Sequence, residues 1–329
     1  MTARKMAKRG SAVEGGFSYI GAVAAMLVVS LIVGALPTES DAGRNTVSFV
    51  ATAVMQLCFL LAAALPHILM HSRPTFAFSR PTVKAALLAP VVTVVCLVAF
   101  YGVATLFSML LGAVGYESSA AVDLSSPAGI AFAVVTSVAL APVCEETLFR
   151  GSVLSSLGVM FGRKSERART VLAITLCGLA FAFMHTRPEQ TVYQFFFGAT
   201  LAYMTVRTGS AVPAVIAHMF NNAIGLVLSA PVVGDGINAA VGAISGGWQW
   251  VLIAAVASLV LAAGGAALLR MMIKRMGQGT TGASFRTTND DGTGYADDGG
   301  TLAGAVFCSL AFAVCLALWI VNLVTGITG

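Results

Sequence analysis

The chain has 329 residues, of which 57% are hydrophobic and only 10% are charged, and its formal net charge is +5. A soluble domain carries about 25% charged residues, so the composition excludes an ordinary soluble domain and indicates a multi-pass membrane protein. The apolar runs are continuous and do not alternate in steps of two, which predicts an all-α bundle of transmembrane helices. Basic loops that orient such helices explain the positive charge without a nucleic-acid partner.

Nine apolar runs succeed one another along the chain, each near the length of about 20 residues that crosses a bilayer. The first exceeds the apolar core of a signal peptide, so we expect it to stay as an anchor. The links between runs are alternately basic and acidic or neutral, which predicts a cytoplasmic N-terminus and an external C-terminus. The runs occupy residues 17–36, 47–70, 84–113, 127–157, 169–186, 190–206, 210–230, 247–273 and 302–324.

Three regions follow from this order. Residues 1–126 hold a basic tail and three flanking helices, residues 127–230 a core, and residues 231–329 the C-terminal helices. The Gly-, Thr- and Asp-rich segment 276–301 predicts a flexible cytoplasmic loop rather than a calcium site. Every cysteine falls inside an apolar run without CxxC spacing, which favours small buried residues over disulfides. They are Cys58, Cys96, Cys144, Cys177, Cys308 and Cys315.

Three charged residues stand inside the fourth apolar run. Each costs roughly 2.5–3.5 kcal/mol at the middle of a membrane helix, so each needs a partner or a water-filled cavity. Glu146 and Arg150 are four residues apart, on one helical stripe, and are expected to pair. Glu145 points about 100° away and is expected to be the carboxylate available for chemistry. The alternative is a single buried ion-pair network of all three without chemistry.

Histidines provide the possible partners of Glu145. His185 ends the fifth run, where a hydrogen-bonded interfacial residue is the alternative to a functional one. His218 and Asn222 are four residues apart and share a helix face, where hydrogen bonding between helices is the alternative. His67 and His71 have the same spacing at the predicted cytoplasmic end of the second run, and an interfacial role explains that pair.

Taken together, a carboxylate, two imidazoles and an amide on neighbouring spans are the parts of a hydrolytic site. Such groups hold a metal ion or activate a water molecule directly as general bases. In either case Glu145 and His185 would polarise the water, and His218 and Asn222 would stabilise the oxyanion. A serine or cysteine nucleophile fits less well, because none stands beside a histidine in these motifs.

The order of these motifs resembles the CPBP family of intramembrane proteases. That family includes the type II CAAX prenyl endopeptidases and bacterial relatives linked to bacteriocin immunity and lysostaphin resistance. The resemblance covers residues 127–230, about a third of the chain. It rests on Glu145-Glu146-x-x-x-Arg150, Phe181-x-x-x-His185 and His218-x-x-x-Asn222.

The resemblance implies an intramembrane endopeptidase that cuts a peptide or protein, prenylated or not, beside the lipid bilayer. By motif, Glu145 is the catalytic or metal-binding carboxylate, His185 its partner, and His218 and Asn222 a ligand or oxyanion stabilisers. The family is described as metalloproteases and a metal-free glutamate mechanism has also been argued, so zinc on Glu145, His185 and His218 is one of two expectations. The Ala-, Val- and Gly-rich composition points to a bacterial cell membrane.

Two other classes of function stay open at this point. The chain is then either a membrane scaffold or immunity protein that kept the fold without activity, or a transporter that couples protons through its buried glutamate. The intact motifs weigh against the first. No internal sequence repeat is visible, which weighs against the second.

Overall fold

The computed structural model describes residues 8–9, 12–36, 41–73, 76, 78–117, 124, 126–230, 233–236, 239, 242, 247–278, 285 and 298–328. Within them, regular structure is helical apart from one parallel bridge between β1 (Lys8–Arg9) and β2 (Ser72–Arg73). The predicted all-α membrane fold is therefore confirmed. Most of the predicted loop 276–301, and most of the basic tail before residue 12, lie outside the described residues.

Each predicted apolar run corresponds to one long helix in the described part of the chain. Seven of these helices are long and apolar enough to cross a membrane, whereas α6 and α7 are the shortest, with 18 and 17 residues. A count of nine spans and a cytoplasmic N-terminus therefore stay predictions. The helices are α1 (Ala12–Ala35), α2 (Asp41–Leu69), α3 (Val83–Ala113), α4 (Pro127–Met160), α5 (Glu166–Met184), α6 (Thr191–Thr208), α7 (Val212–Leu228), α8 (Trp248–Met276) and α9 (Asp298–Thr328).

Helix α4 is not a regular α-helix. Its segments Val134–Leu140 and Thr147–Val153 are π-helical, and they flank the α-helical turn Ala141–Glu146. The Ala141 N–H accordingly bonds to a carbonyl five residues back. Pro142 lies inside this helix and supplies no N–H, which disrupts the regular hydrogen-bond ladder. π-Helical turns inside α-helices often mark functional sites, and here they bracket the two glutamates.

The irregular helix α4 is enclosed by its neighbours. Helices α1 and α2 pack on one side of it, and α5 and α7 contact it from the core region. Helix α9 packs along α1 and also touches α5, while α8 packs along α3. The flanking helices therefore help to build the walls around the segment that carries the charges.

Close helix approach depends on particular glycines. A side chain at Gly265 of α8 would collide with Ala99 of α3, whereas one at its neighbour Gly264 would meet nothing within 4 Å. Small residues at such contacts let membrane helices pack backbone to backbone. The pair Gly264 and Gly265 therefore offers matched positions for testing the α3–α8 interface.

We expect Gly265→Ala to destabilise the protein by about 1–3 kcal/mol, because the added methyl group overpacks the interface. Gly264→Ala is the control and should leave the melting temperature unchanged or slightly raised, since alanine favours helices. Thermal unfolding of purified protein in detergent measures both. Equal melting temperatures for the two variants would contradict the α3–α8 packing described here.

Candidate active site

A buried ion pair organises the charged segment of α4. Arg150 Nε lies 3.0 Å from Glu146 Oε2, and both side chains are fully buried. Arg150 Nη2 also donates to the Gly198 carbonyl oxygen at 2.9 Å, and the guanidinium stacks 4.7 Å from the Phe181 ring centre. The i, i+4 contact predicted from the sequence is therefore present, and the buried guanidinium is held from three directions.

His218 links this ion pair to the second glutamate. Its Nδ1 lies 2.9 Å from Glu146 Oε1, and its Nε2 lies 3.9 Å from Glu145 Oε2. Glu146 is paired with Arg150 and so accepts hydrogen bonds, which assigns the Nδ1 proton to His218. The imidazole is thereby oriented with Nε2 facing Glu145, as a second partner fixes a histidine tautomer.

Glu145 occupies a different environment from Glu146. Gln56 of α2 donates through Nε2 to Glu145 Oε1 at 2.8 Å. Glu145 Oε2 has no hydrogen-bond partner among the described residues. The side chain borders a cavity of about 410 Å³, here called the site cavity, whose wall also includes Gln56, Phe149, Met184, His185 and Asn322. One carboxylate oxygen is thus held by Gln56, and the other is buried without a hydrogen-bond partner in the described part of the chain.

His185 stands at the end of α5 and borders the same cavity. Its Nδ1 lies 2.8 Å from the Phe181 carbonyl oxygen. A carbonyl oxygen only accepts, so Nδ1 carries the proton and Nε2 has a free lone pair in the neutral ring. The Phe181 ring lies between the two histidines, with centre distances of 4.7 Å to His185 and 5.7 Å to His218. This phenylalanine therefore spaces the two imidazoles.

Asn222 makes hydrogen bonds that differ from those expected of an oxyanion donor. Its Nδ2 donates to the Ser137 carbonyl oxygen at 2.7 Å, and its Oδ1 accepts from Asn221 at 3.2 Å. In a π-helical turn that carbonyl would pair with the N–H of residue 142, which is a proline. Asn222 thus satisfies a backbone oxygen of α4, and a role at the oxyanion stays a prediction.

The competing histidine pair lies elsewhere. His67 Nδ1 lies 2.9 Å from the Ser72 hydroxyl, and its Nε2 lies 3.2 Å from the Ser152 hydroxyl. His71 is exposed and has a φ of 51°. These contacts tie the end of α2 to α4 and do not involve Glu145. The interfacial interpretation of this pair stays a prediction, and His67 itself is buried.

The expected zinc site can be compared with the positions of its three predicted ligands. Among the described residues, no three His, Cys, Asp or Glu side chains form a group that could hold a metal ion, and this includes Glu145, His185 and His218. The arrangement therefore does not fit a three-ligand site, and zinc binding stays a prediction.

Sequence reasoning missed Gln56, which touches Glu145 from a flanking helix. A signal was present, because Gln56 is an isolated amide in the middle of the second apolar run. The motif search also missed Asn221, whose Oδ1 accepts from the Tyr193 hydroxyl at 2.6 Å. Its signal was weaker, since Asn221 adjoins the motif residue Asn222 and was counted with it.

The geometry places Glu145 and His185 at the wall of one cavity, with His218 Nε2 3.9 Å from Glu145 Oε2, in a protein of membrane-type helices. A family model described as type II CAAX prenyl endopeptidase Rce1-like matches residues 127–224. The matched segment begins with α4, ends within α7, and contains all three motifs. The family resemblance is therefore confirmed, and the family is one of membrane proteases. No curated protein and no solved structure matches the chain.

We expect Arg150→Met to lower the free energy of unfolding by about 3–5 kcal/mol, because it leaves Glu146 buried without its charge partner. Glu145→Gln is the matched comparison and should have a melting temperature close to wild type, since the side chain borders the site cavity and its amide oxygen can still accept from Gln56. Thermal unfolding in detergent measures both variants. A stable Arg150→Met protein would refute the structural role of the ion pair.

Asn222→Ala should destabilise the protein by about 1–3 kcal/mol, because it leaves the Ser137 carbonyl oxygen unsatisfied. Pro142→Ala restores a backbone N–H near that oxygen, so Asn222→Ala should cost less in the Pro142→Ala background. A double-mutant cycle of unfolding free energies measures this coupling. The same cost in both backgrounds would show that Asn222 does not stabilise the α4 backbone in this way.

Proposed function

We propose that this protein is an intramembrane endopeptidase that hydrolyses a peptide bond near the membrane. The observation that carries the proposal is Glu145, whose side chain borders a cavity with His185 and whose buried Oε2 has no hydrogen-bond partner within the residues described and lies 3.9 Å from His218 Nε2. A buried carboxylate without a saturating partner is costly in a membrane and is typical of a functional site. The family match over residues 127–224 supports the same class of reaction.

Water activation is assigned to Glu145. Gln56 holds one carboxylate oxygen, which leaves the other as the proton acceptor. In the proposed scheme a water molecule binds to both Glu145 Oε2 and His218 Nε2, which lie 3.9 Å apart. The free Nε2 of His185 is a second acceptor for the same water. In this scheme Glu145 is the general base and His185 polarises the nucleophile.

The proposed reaction proceeds in two steps. The water oxygen attacks the scissile carbonyl carbon, its proton passes to Glu145, and the carbonyl oxygen becomes an oxyanion. His218 is assigned to stabilise that oxyanion in the form that carries a proton on Nε2 as well as on Nδ1, and Asn222 is assigned to stabilise it through its second Nδ2 proton. The carbon–nitrogen bond then breaks, Glu145 returns the proton to the leaving amine, and a carboxylic acid and an amine result. Glu146 and Arg150 support the step by fixing the His218 ring.

The substrate class follows from the location of the cavity and from the family. A peptide or protein segment that lies beside the bilayer can reach a cavity among membrane helices. Prenylated C-terminal tails are what the name of the matched family describes, and we propose them as one class to test. A bacterial cell membrane is the proposed location.

We expect wild-type protein to cleave members of a peptide library, made with and without prenylated cysteine. Glu145→Gln should lower the cleavage rate by about 10²–10⁴-fold, because it removes the general base. Glu166→Gln is the control, since Glu166 is an exposed carboxylate in the first turn of α5. Mass spectrometry of the products measures the rates and locates the scissile bond.

The same assay separates the mechanisms. Cleavage that survives chelation, in protein without bound metal, supports the carboxylate mechanism, and loss that zinc restores supports a metal mechanism. Full activity in Glu145→Gln would contradict the proposal. Folded wild-type protein that cleaves nothing, while keeping a biological activity that Glu145→Gln also has, would favour the scaffold or immunity role. Substrate flux in proteoliposomes would favour a transporter.

A further inference from the structure

A second, polar cavity opens at one end of the bundle. It has a volume of about 520 Å³ and is here called the end cavity. It lies where α3, α5 and α9 end and α6 begins. Its wall includes polar groups from all of these segments, among them Tyr116, Glu117, Arg187, Glu189, Asn322 and Thr325.

The wall of the end cavity is held together by polar contacts. The Tyr116 hydroxyl donates to Glu189 Oε2 at 2.7 Å, and Arg187 Nε lies 3.3 Å from Glu189 Oε1. Burial, and next the bond to Glu189, raise the pKa of Tyr116 to about 12, so it stays protonated at neutral pH. The Glu117 N–H donates to the Gly326 carbonyl oxygen at 2.8 Å. A wall with these charges suits water and not lipid chains.

One residue borders both cavities. Asn322 of α9 is part of the wall of the end cavity and of the site cavity. Its Nδ2 donates to the Thr186 carbonyl oxygen at 2.8 Å. Thr186 directly follows His185, has a φ of 54°, and borders the site cavity. The two cavities therefore share a wall residue, Asn322, which is bonded to the turn that carries His185.

We propose that the end cavity is the aqueous vestibule through which water and water-soluble molecules reach Glu145, with Asn322 at its junction with the site cavity. Hydrolysis inside a membrane requires a route for water, because the hydrocarbon region supplies none. The end cavity is polar, lies at a bundle end, and shares the wall residue Asn322 with the cavity that Glu145 borders. The role of this route in hydrolysis rests on the proposed function. The access of water-soluble molecules to the site cavity can be measured without any peptide cleavage.

The test uses a cysteine reporter in the site cavity. Gln56→Cys places a thiol at a buried position that faces Glu145. Cys58→Ala in the same protein leaves one thiol in the analysed peptide. The probe is a permanently charged methanethiosulfonate, which does not cross lipid, applied to protein in nanodiscs. Mass spectrometry follows the rate at which residue 56 is modified.

Tryptophan substitutions then block the vestibule. Thr325 is exposed, lines the end cavity, and bonds only along its own helix, so Thr325→Trp adds bulk without removing a contact between helices. Val324→Trp is the matched control, because Val324 is the next residue, is 52% exposed, and is not part of the cavity wall. Thr328→Trp is a second blocking variant at the end of α9.

We expect rapid modification of Gln56→Cys, slowed at least about tenfold by Thr325→Trp or Thr328→Trp and unchanged by Val324→Trp, because thiol modification depends on access. No modification at all, or equal rates in the blocked and control proteins, would overturn the vestibule. Matching melting temperatures show that each variant is folded. The labelling result stands whether or not wild-type protein cleaves a peptide, so failure of the vestibule and failure of the proposed protease activity are told apart.

Discussion

The structure depends on burying two adjacent carboxylates in a membrane helix. A single charge at such a depth costs several kcal/mol unless it is paired. Arg150 lies within ion-pair distance of Glu146 Oε2 and His218 bonds to Glu146 Oε1, so each oxygen of this fully buried carboxylate has a close partner. Glu145 has one oxygen that accepts from Gln56 and one buried oxygen without a hydrogen-bond partner among the residues that the structure describes, and its side chain borders the site cavity. The fold thereby divides two neighbouring residues of the same type into a supporting group and a group open to the site cavity.

Backbone irregularity in α4 is part of that division. The π-helical segments on both sides of Ala141–Glu146 turn the glutamates relative to the rest of the helix. Asn222 contacts the carbonyl that Pro142 leaves unpaired, which ties α7 to this irregular stretch. His218 lies one turn before Asn222 on α7. The contact of Asn222 with α4 therefore also fixes the position of the His218 imidazole relative to Glu145 and Glu146. The motif His218-x-x-x-Asn222 thus helps to position the two glutamates of the motif on α4.

Much of this site was predictable because it follows from local spacing. The i, i+4 spacing predicted the contact between Glu146 and Arg150, and the order of the motifs predicted the family. The π-helical turns were not predictable, because periodicity analysis assumes 100° per residue throughout a helix. Gln56 and Asn322 were also missed. They come from helices outside the matched segment, and their contacts depend on how distant parts of the chain pack, which no local pattern encodes.

The division between the two glutamates is tested most directly by comparing Glu145→Gln with Glu146→Gln in the same purified preparations. Cleavage rate and melting temperature are measured for each, on a peptide that wild-type protein cuts. The account predicts that Glu145→Gln loses cleavage and keeps its melting temperature, whereas Glu146→Gln has a lower melting temperature because Arg150 is left without its buried partner. An active Glu145→Gln protein, or a Glu146→Gln protein as stable as wild type, would contradict it.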